Sequence, residues 1–127
     1  MNKYIILILL LISSISMVMA GPQVPDVRDP QWESKWLNKL EDQDVNVRAE
    51  AALKLANAGC TDIQNKLIDM ARNEESYSAR IVAVVALTKI GDEQVVEFLR
   101  DIYFEESRQT VRTVINGAIN ILENQMA

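Results

Sequence analysis

The stretch Val47–Gly59, VRAEAALKLANAG, returns as Ala79–Gly91, ARIVAVVALTKIG, and again as Val111–Glu123, VRTVINGAINILE. Each return is offset by 32 residues, so Arg48, Arg80 and Arg112 coincide. An acidic residue precedes each arginine by six positions: Asp42, Glu74 and Glu106. Downstream, Ala51 meets Ala83 and Ile115, Leu55 meets Leu87 and Ile119, and Ala58 meets Ile90 and Leu122. Ile63 with Val95 and Leu67 with Leu99 extend the match beyond the glycines. A fixed period of this size marks a supersecondary unit that buries its apolar face only by stacking on its neighbours.

Within each period the apolar residues recur every three to four positions, which is helical spacing. Trp32, Trp36, Leu37 and Leu40 form one stripe, predicting a first helix that ends near Asp42. Its start is marked by Asp29 as N-cap and Pro30 in the first turn, where a missing N–H costs nothing. Val45 to Ala56 predicts a second helix, closed by Gly59 in the left-handed conformation. Thr61-Asp62 is the expected cap of a third, Ser76 or Ser78 of a fourth, Asp92 of a fifth and Ser107 of a sixth. Val82-Ala83-Val84-Val85 alone suggests a strand, but its counterpart Glu50-Ala51-Ala52-Leu53 favours helix. Glycine turns (Gly59-Cys60-Thr61, Gly91-Asp92) alternate with acidic ones (41–46, 73–76, 105–109). The expectation is an all-α, right-handed α-solenoid of about three helical hairpins over residues 32–127.

This pattern resembles the HEAT-repeat family, in particular the short HEAT-like units of phycobilisome lyases. Leu40 to Arg48, Ala51-Ala52-Leu53-x-Leu55, Gly59 and the Ile63–Leu67 stretch carry the resemblance in the first unit. Ala79-Arg80, Ala83 to Leu87, Gly91 and Val95–Leu99 repeat it, and Val111-Arg112 with Ile115 to Ile119 open a third unit that has Glu123 in place of the glycine. Val45 stands where the family usually has proline after the acidic turn. The resemblance implies a scaffold that binds other proteins. It also leaves room for an accessory, lyase-like enzyme, because one fold hosts unrelated functions, and a structural envelope component is a further alternative.

The N-terminus reads as an address. Lys3 supplies a positive n-region, Ile5 to Ile12 is uninterrupted apolar sequence, and Val18-Met19-Ala20 fits a cleavage site before Gly21. The apolar stretch from Ile5 to Ala20 is 16 residues and contains three serines, short of the roughly 20 that span a bilayer. A cleaved secretory signal over 1–20 is therefore expected, placing the protein in the periplasm or outside the cell. Residues 21–31 hold all three prolines and read as an extended leader.

Charge narrows the partners. The chain of 127 residues carries 13 basic and 18 acidic side chains, a net −5, which becomes −6 once Lys3 leaves with the signal. No basic run exists to neutralise phosphates or anionic lipid, so neither nucleic acid nor a membrane surface is expected to bind the mature chain. With no histidine, Ser-His and Cys-His nucleophiles are absent, and no glycine-rich phosphate loop occurs. No catalytic residue, metal ligand or cofactor site is therefore assigned. Cys60 is the single cysteine and has no disulfide partner within the chain. It is either a linkage point for another molecule or a small residue tolerated in a turn.

The arginine ladder of Arg48, Arg80 and Arg112 admits two readings. It either presents cations to an acidic ligand or pairs with the acidic turns to knit repeats together, and the shared period of arginines and carboxylates favours the second. A docking face for a protein partner is placed on the third and fifth helices: Gln64, Asn65, Lys66, Asp69, Arg72, then Gln94, Glu97, Arg100 and Asp101. Trp36 is expected to cap the exposed edge of the first repeat from inside, with Trp32 nearer the surface. The last helix carries more apolar residues than one neighbour needs, and Gly117 inside it costs stability unless another helix approaches closely. Ile121 and Leu122 are therefore expected to form an edge covered by a second copy, giving a homodimer, or by the partner.

Overall fold

The computed structural model describes residues 29–127 and contains six α-helices and no strand among them. The helices are α1 (Pro30–Lys39), α2 (Val45–Asn57), α3 (Gln64–Asn73), α4 (Tyr77–Ile90), α5 (Glu93–Glu105) and α6 (Gln109–Met126). The signal and most of the leader lie outside the described residues. Pro30 and Gln31 form the first turn of α1, as the Asp29-Pro30 pair predicts, so the helix begins inside the stretch read as leader.

Helix ends follow local chemistry. The Gln31 N–H donates to Asp29 Oδ1 (3.0 Å), the Asn46 N–H to Asp44 Oδ1 (2.8 Å), the Ala79 N–H to Ser76 Oγ (3.3 Å) and the Val95 N–H to Asp92 Oδ1 (3.3 Å). Two expected caps are corrected. Thr61 and Asp62 lie inside a 3₁₀ turn, Thr61–Ile63, that runs straight into α3 without a side-chain cap. At α6 the N-cap is Arg108 rather than Ser107, and its N–H donates back to Glu106 Oε1 (2.9 Å). The two glycine turns work differently. Gly59 adopts φ +79°, which favours glycine, whereas at Gly91 a Cβ would lie 2.5 Å from the Leu87 carbonyl oxygen.

Helices joined by acidic turns pack along one another, giving hairpins α1–α2, α3–α4 and α5–α6, while helices joined by glycine turns barely touch. The hairpins stack through α2, α4 and α6, which form a closely packed layer; α3 and α5 approach each other only locally. Small residues allow the close approach, since Ala51, Ala52, Ala56, Ala83, Ala86 and Ala118 are all buried there. Leu55, Leu67, Met70, Leu87, Leu99, Ile115 and Leu122 fill the space between the layers. Because α6 pairs with α5, the third hairpin is whole and α6 needs no following helix to complete it.

The 32-residue period holds from α2 onward but slips by one at α1. The first turn spans residues 40–44 and the later ones only 74–76 and 106–108. Trp36 therefore takes the place of Leu67, and Leu40 that of Ala71, at an offset of 31. Trp36 is buried and Trp32 half-buried, while Leu37, expected on the apolar stripe, faces solvent.

Candidate functional site

The three arginines occupy one repeated setting at the N-terminal end of α2, α4 and α6. Arg48 Nη1 donates to the carbonyls of Asp42 (2.7 Å) and Gln43 (3.0 Å) in its own hairpin's turn. Its Nε and Nη2 donate to both carboxylate oxygens of Glu74 in the next turn, at 2.7 and 2.8 Å. Arg80 repeats this with the Glu74 and Glu75 carbonyls (2.8 and 3.1 Å) and the Glu106 carboxylate (2.9 and 3.2 Å). A planar five-donor fork suits this task, since one edge takes carbonyls while the other takes a bidentate carboxylate. The Glu74 hydrogen bond and charge hold the Arg48 guanidinium above its ordinary pKa. At Glu106 burial pushes the carboxyl pKa up, but hydrogen bonds from Arg80 and the Arg108 N–H outweigh it and leave the pKa lowered.

Arg112 departs from the pattern. Its Nη1 reaches the Glu106 carbonyl (3.2 Å), but Nη2 turns to Gln109 Oε1 of its own helix (2.7 Å). Among the described residues no carboxylate lies within ion-pair distance of it. The first two rungs are thus internal staples between hairpins, and the third has only its carbonyl half.

The face assigned to α3 and α5 is largely occupied with itself. Lys66 Nζ pairs with Glu41 (2.9 Å), and Arg72 with Glu105 (3.5 Å) while lying over the Phe98 ring. Arg100 joins Glu97 (2.6 Å) to Glu123, Asp69 accepts from Asn73 (2.7 Å), and Gln64 donates to Asp92 (3.4 Å). Asn65, Gln94 and Asp101 are exposed. These side chains lace neighbouring elements together and leave a polar surface.

The structure divides the expected apolar edge on α6. Ile121 is 48% exposed, but Leu122 is only 1% exposed and belongs to the core, because it points between α5 and α6. The edge of α6 that faces away from α4 is polar. Asn116 stands where Ala52 and Val84 are buried in the earlier hairpins, and Asn120 where Ala56 is. The opposite edge is also polar. Lys54 takes the position of buried Ala86 and Ala118, and with Lys39 it lies over the Trp36 ring, at 4.7 and 4.4 Å. Both ends thus carry the polar outer face that terminal repeats need for solubility.

A different surface stands out on the solvent side of the α2–α4–α6 layer. Leu53, Val85 and Gly117 share one register there, Val82 and Val114 the adjoining one, and Ile121 lies a turn beyond Gly117. Val85 is 36% and Ile121 48% exposed, and among the described residues a Cβ on Gly117 would meet nothing within 4 Å. Among the described residues Gly117 therefore does not serve close helix approach. Apolar character all around α4 was the available signal, because a helix apolar on every side is expected to be covered on every side. At the far end of α5, Phe104 is exposed and stands edge-on to Tyr103 at 5.4 Å.

A family model described as HEAT repeats matches residues 33–120. The chain belongs to the HEAT-repeat family. The match covers all three hairpins, and in the family such units serve typically as non-enzymatic scaffolds for protein interaction. Searches among curated proteins and among solved structures found no significant match. In this HEAT-repeat protein the arginine–acid rungs are thus the structural element of the fold, and the uncovered face of α2, α4 and α6 is the candidate for contact.

Proposed function

We propose that this HEAT-repeat chain is an exported, non-enzymatic module that holds another protein against the open face of its α2–α4–α6 layer. The observation that carries this reading is the apolar strip on one face of the layer, where Val85 and Ile121 are exposed and Leu53 and Val82 half-buried around Gly117. Contiguous apolar surface of this kind marks interaction sites on soluble proteins. The surface of α3 and α5, by contrast, spends its charges on its own neighbours. Export rests on the sequence of residues 1–20, whose length and three-part layout fit a cleaved signal.

Two measurements test the reading. Mass spectrometry of protein secreted from the native cell should find Gly21 as the first residue; an intact N-terminus recovered with membranes would refute export. Val85→Asp should abolish co-purification with whatever protein the wild type retains from the exported fraction, with the melting temperature kept. Glu97→Ala on α5 should leave retention unchanged. Retention lost with Glu97→Ala and kept with Val85→Asp would move the contact surface to the other layer.

A further inference from the structure

The two ends of the stack carry complementary halves of one arginine–carboxylate rung. At the α6 end, Arg112 has its Nη1 on the Glu106 carbonyl, as Arg80 has its own on Glu74, yet among the described residues no carboxylate meets its other edge, which reaches only Gln109. At the α1–α2 end, Asp42 Oδ1 accepts the Asp44 N–H (2.8 Å), the same two-residue reach by which Glu106 Oε1 accepts the Arg108 N–H (2.9 Å) while also taking Arg80. Asp42 stands in the repeat register of Glu74 and Glu106 but forms no ion pair among the described residues. One end therefore holds a positioned guanidinium without its acid, and the other a positioned acid without its guanidinium.

The surrounding charge is complementary too. Lys39 and Lys54 sit at the α1–α2 edge, the latter 3.7 Å from Glu50. At the α5–α6 edge, Glu97 and Glu123 share the single Arg100, and Asp101 beside them is exposed and forms no ion pair among the described residues. We infer that the occupant of the α6 edge is the first hairpin of a second copy of this chain, docked head to tail so that Arg112 of one copy takes Asp42 of the next. The interface is heterologous, so each added copy presents a fresh end and the association is open-ended rather than a closed pair. Because both edges are polar, with asparagines and lysines where the core would continue, the contact is electrostatic, reversible and screened by salt. This inference is independent of the partner surface on the open face, which head-to-tail stacking leaves accessible and repeats along the assembly.

The test is sedimentation velocity of the purified full chain over a concentration series up to about 100 µM, in the range where contacts of this kind are measurable. The weight-average sedimentation coefficient should rise with concentration in about 0.05 M salt and fall back toward the monomer value in about 1 M salt. Arg112→Glu and Asp42→Arg should each weaken self-association about tenfold or more, since each puts like charges at the rung. Their equimolar mixture should associate again, because each junction in an alternating stack then pairs opposite charges. Asp42 lies in an exposed turn, so Asp42→Arg keeps a readable outcome even if Arg112→Glu folds poorly. A wild type that stays monomeric in low salt would overturn the inference, as would a mixture that associates no better than either variant alone.

Discussion

Replacing Arg80 with alanine should separate a structural ladder from a binding row. The change removes two hydrogen bonds to turn carbonyls and a bidentate pair with Glu106, whose side chains are only 15% and 9% exposed. Charge-assisted hydrogen bonds contribute about 1.5–3 kcal/mol each when intact, but the freed carbonyls and carboxylate here can partly rehydrate. Breaking a fully buried pair costs about 3–5 kcal/mol, and discounting for the residual exposure leaves an expected loss of about 2–3 kcal/mol. For a folded region of this size, that lowers the melting temperature by roughly 10–20 °C. Arg112→Ala is the internal control. It loses one carbonyl at 3.2 Å and a contact within its own helix, so its cost should stay near 0.5–1 kcal/mol in monomeric protein. Urea denaturation followed by far-ultraviolet circular dichroism gives both values from midpoints at constant slope. A double-mutant cycle of Arg80→Ala with Glu106→Gln should show coupling, since the two share one pair. Equal destabilisation by Arg80→Ala and Arg112→Ala, or none by either, would refute the argument that the ladder staples successive hairpins.

Acid should act through the same rung. The Glu106 pKa is lowered in the folded chain, so its contribution is present above the unfolded carboxyl pKa of about 4.3 and is lost as pH falls through the lower folded value. Stability measured from pH 6 downward should therefore fall less steeply below about pH 4.3 in Arg80→Ala than in the wild type. The three described glycines should respond to alanine in three ways. Gly91→Ala should cost the most, because a Cβ there meets the Leu87 carbonyl oxygen at 2.5 Å. Gly59→Ala should cost about 1–2 kcal/mol for the left-handed backbone, and Gly117→Ala should stabilise by about 0.5–1 kcal/mol, since nothing lies nearby. Thermal melts of the three variants check the order; a destabilising Gly117→Ala would show that the glycine is needed within the chain.

Much of the fold was legible because helical periodicity and a 32-residue self-match report the same local physics twice. The helix count, the acidic and glycine turns, the cap at Asp29 and the buried Trp36 follow from spacing and residue type alone. Where reading failed, the determinant was a neighbour distant in sequence. Leu122 and Ile121 are adjacent and equally apolar, yet one is core and the other is in solvent, which is settled by where α5 lies against α6. Ser107 is as good an N-cap by composition as Ser76, but the N-cap position, in register with Asp44 and Ser76, falls on Arg108, whose N–H is taken by the Glu106 carboxylate held by Arg80.

The chain's own order of residues therefore determined the class of architecture, the repeat length and the pairing of each arginine with acidic turns, since these depend on contacts within one period or between adjacent ones. Tertiary structure alone decided which helices form hairpins, and so that α6 completes a unit. It also decided which surface remains uncovered. The charges of α3 and α5 looked free in sequence because ion pairs such as Lys66–Glu41, Arg72–Glu105 and Arg100–Glu123 join residues 23 or more positions apart. The strip around Val85 gave no sign of exposure in sequence, because an apolar residue in a repeat reads the same whether a neighbour covers it or not. Periodicity specifies the angle at which a side chain leaves its helix; only packing specifies what it meets.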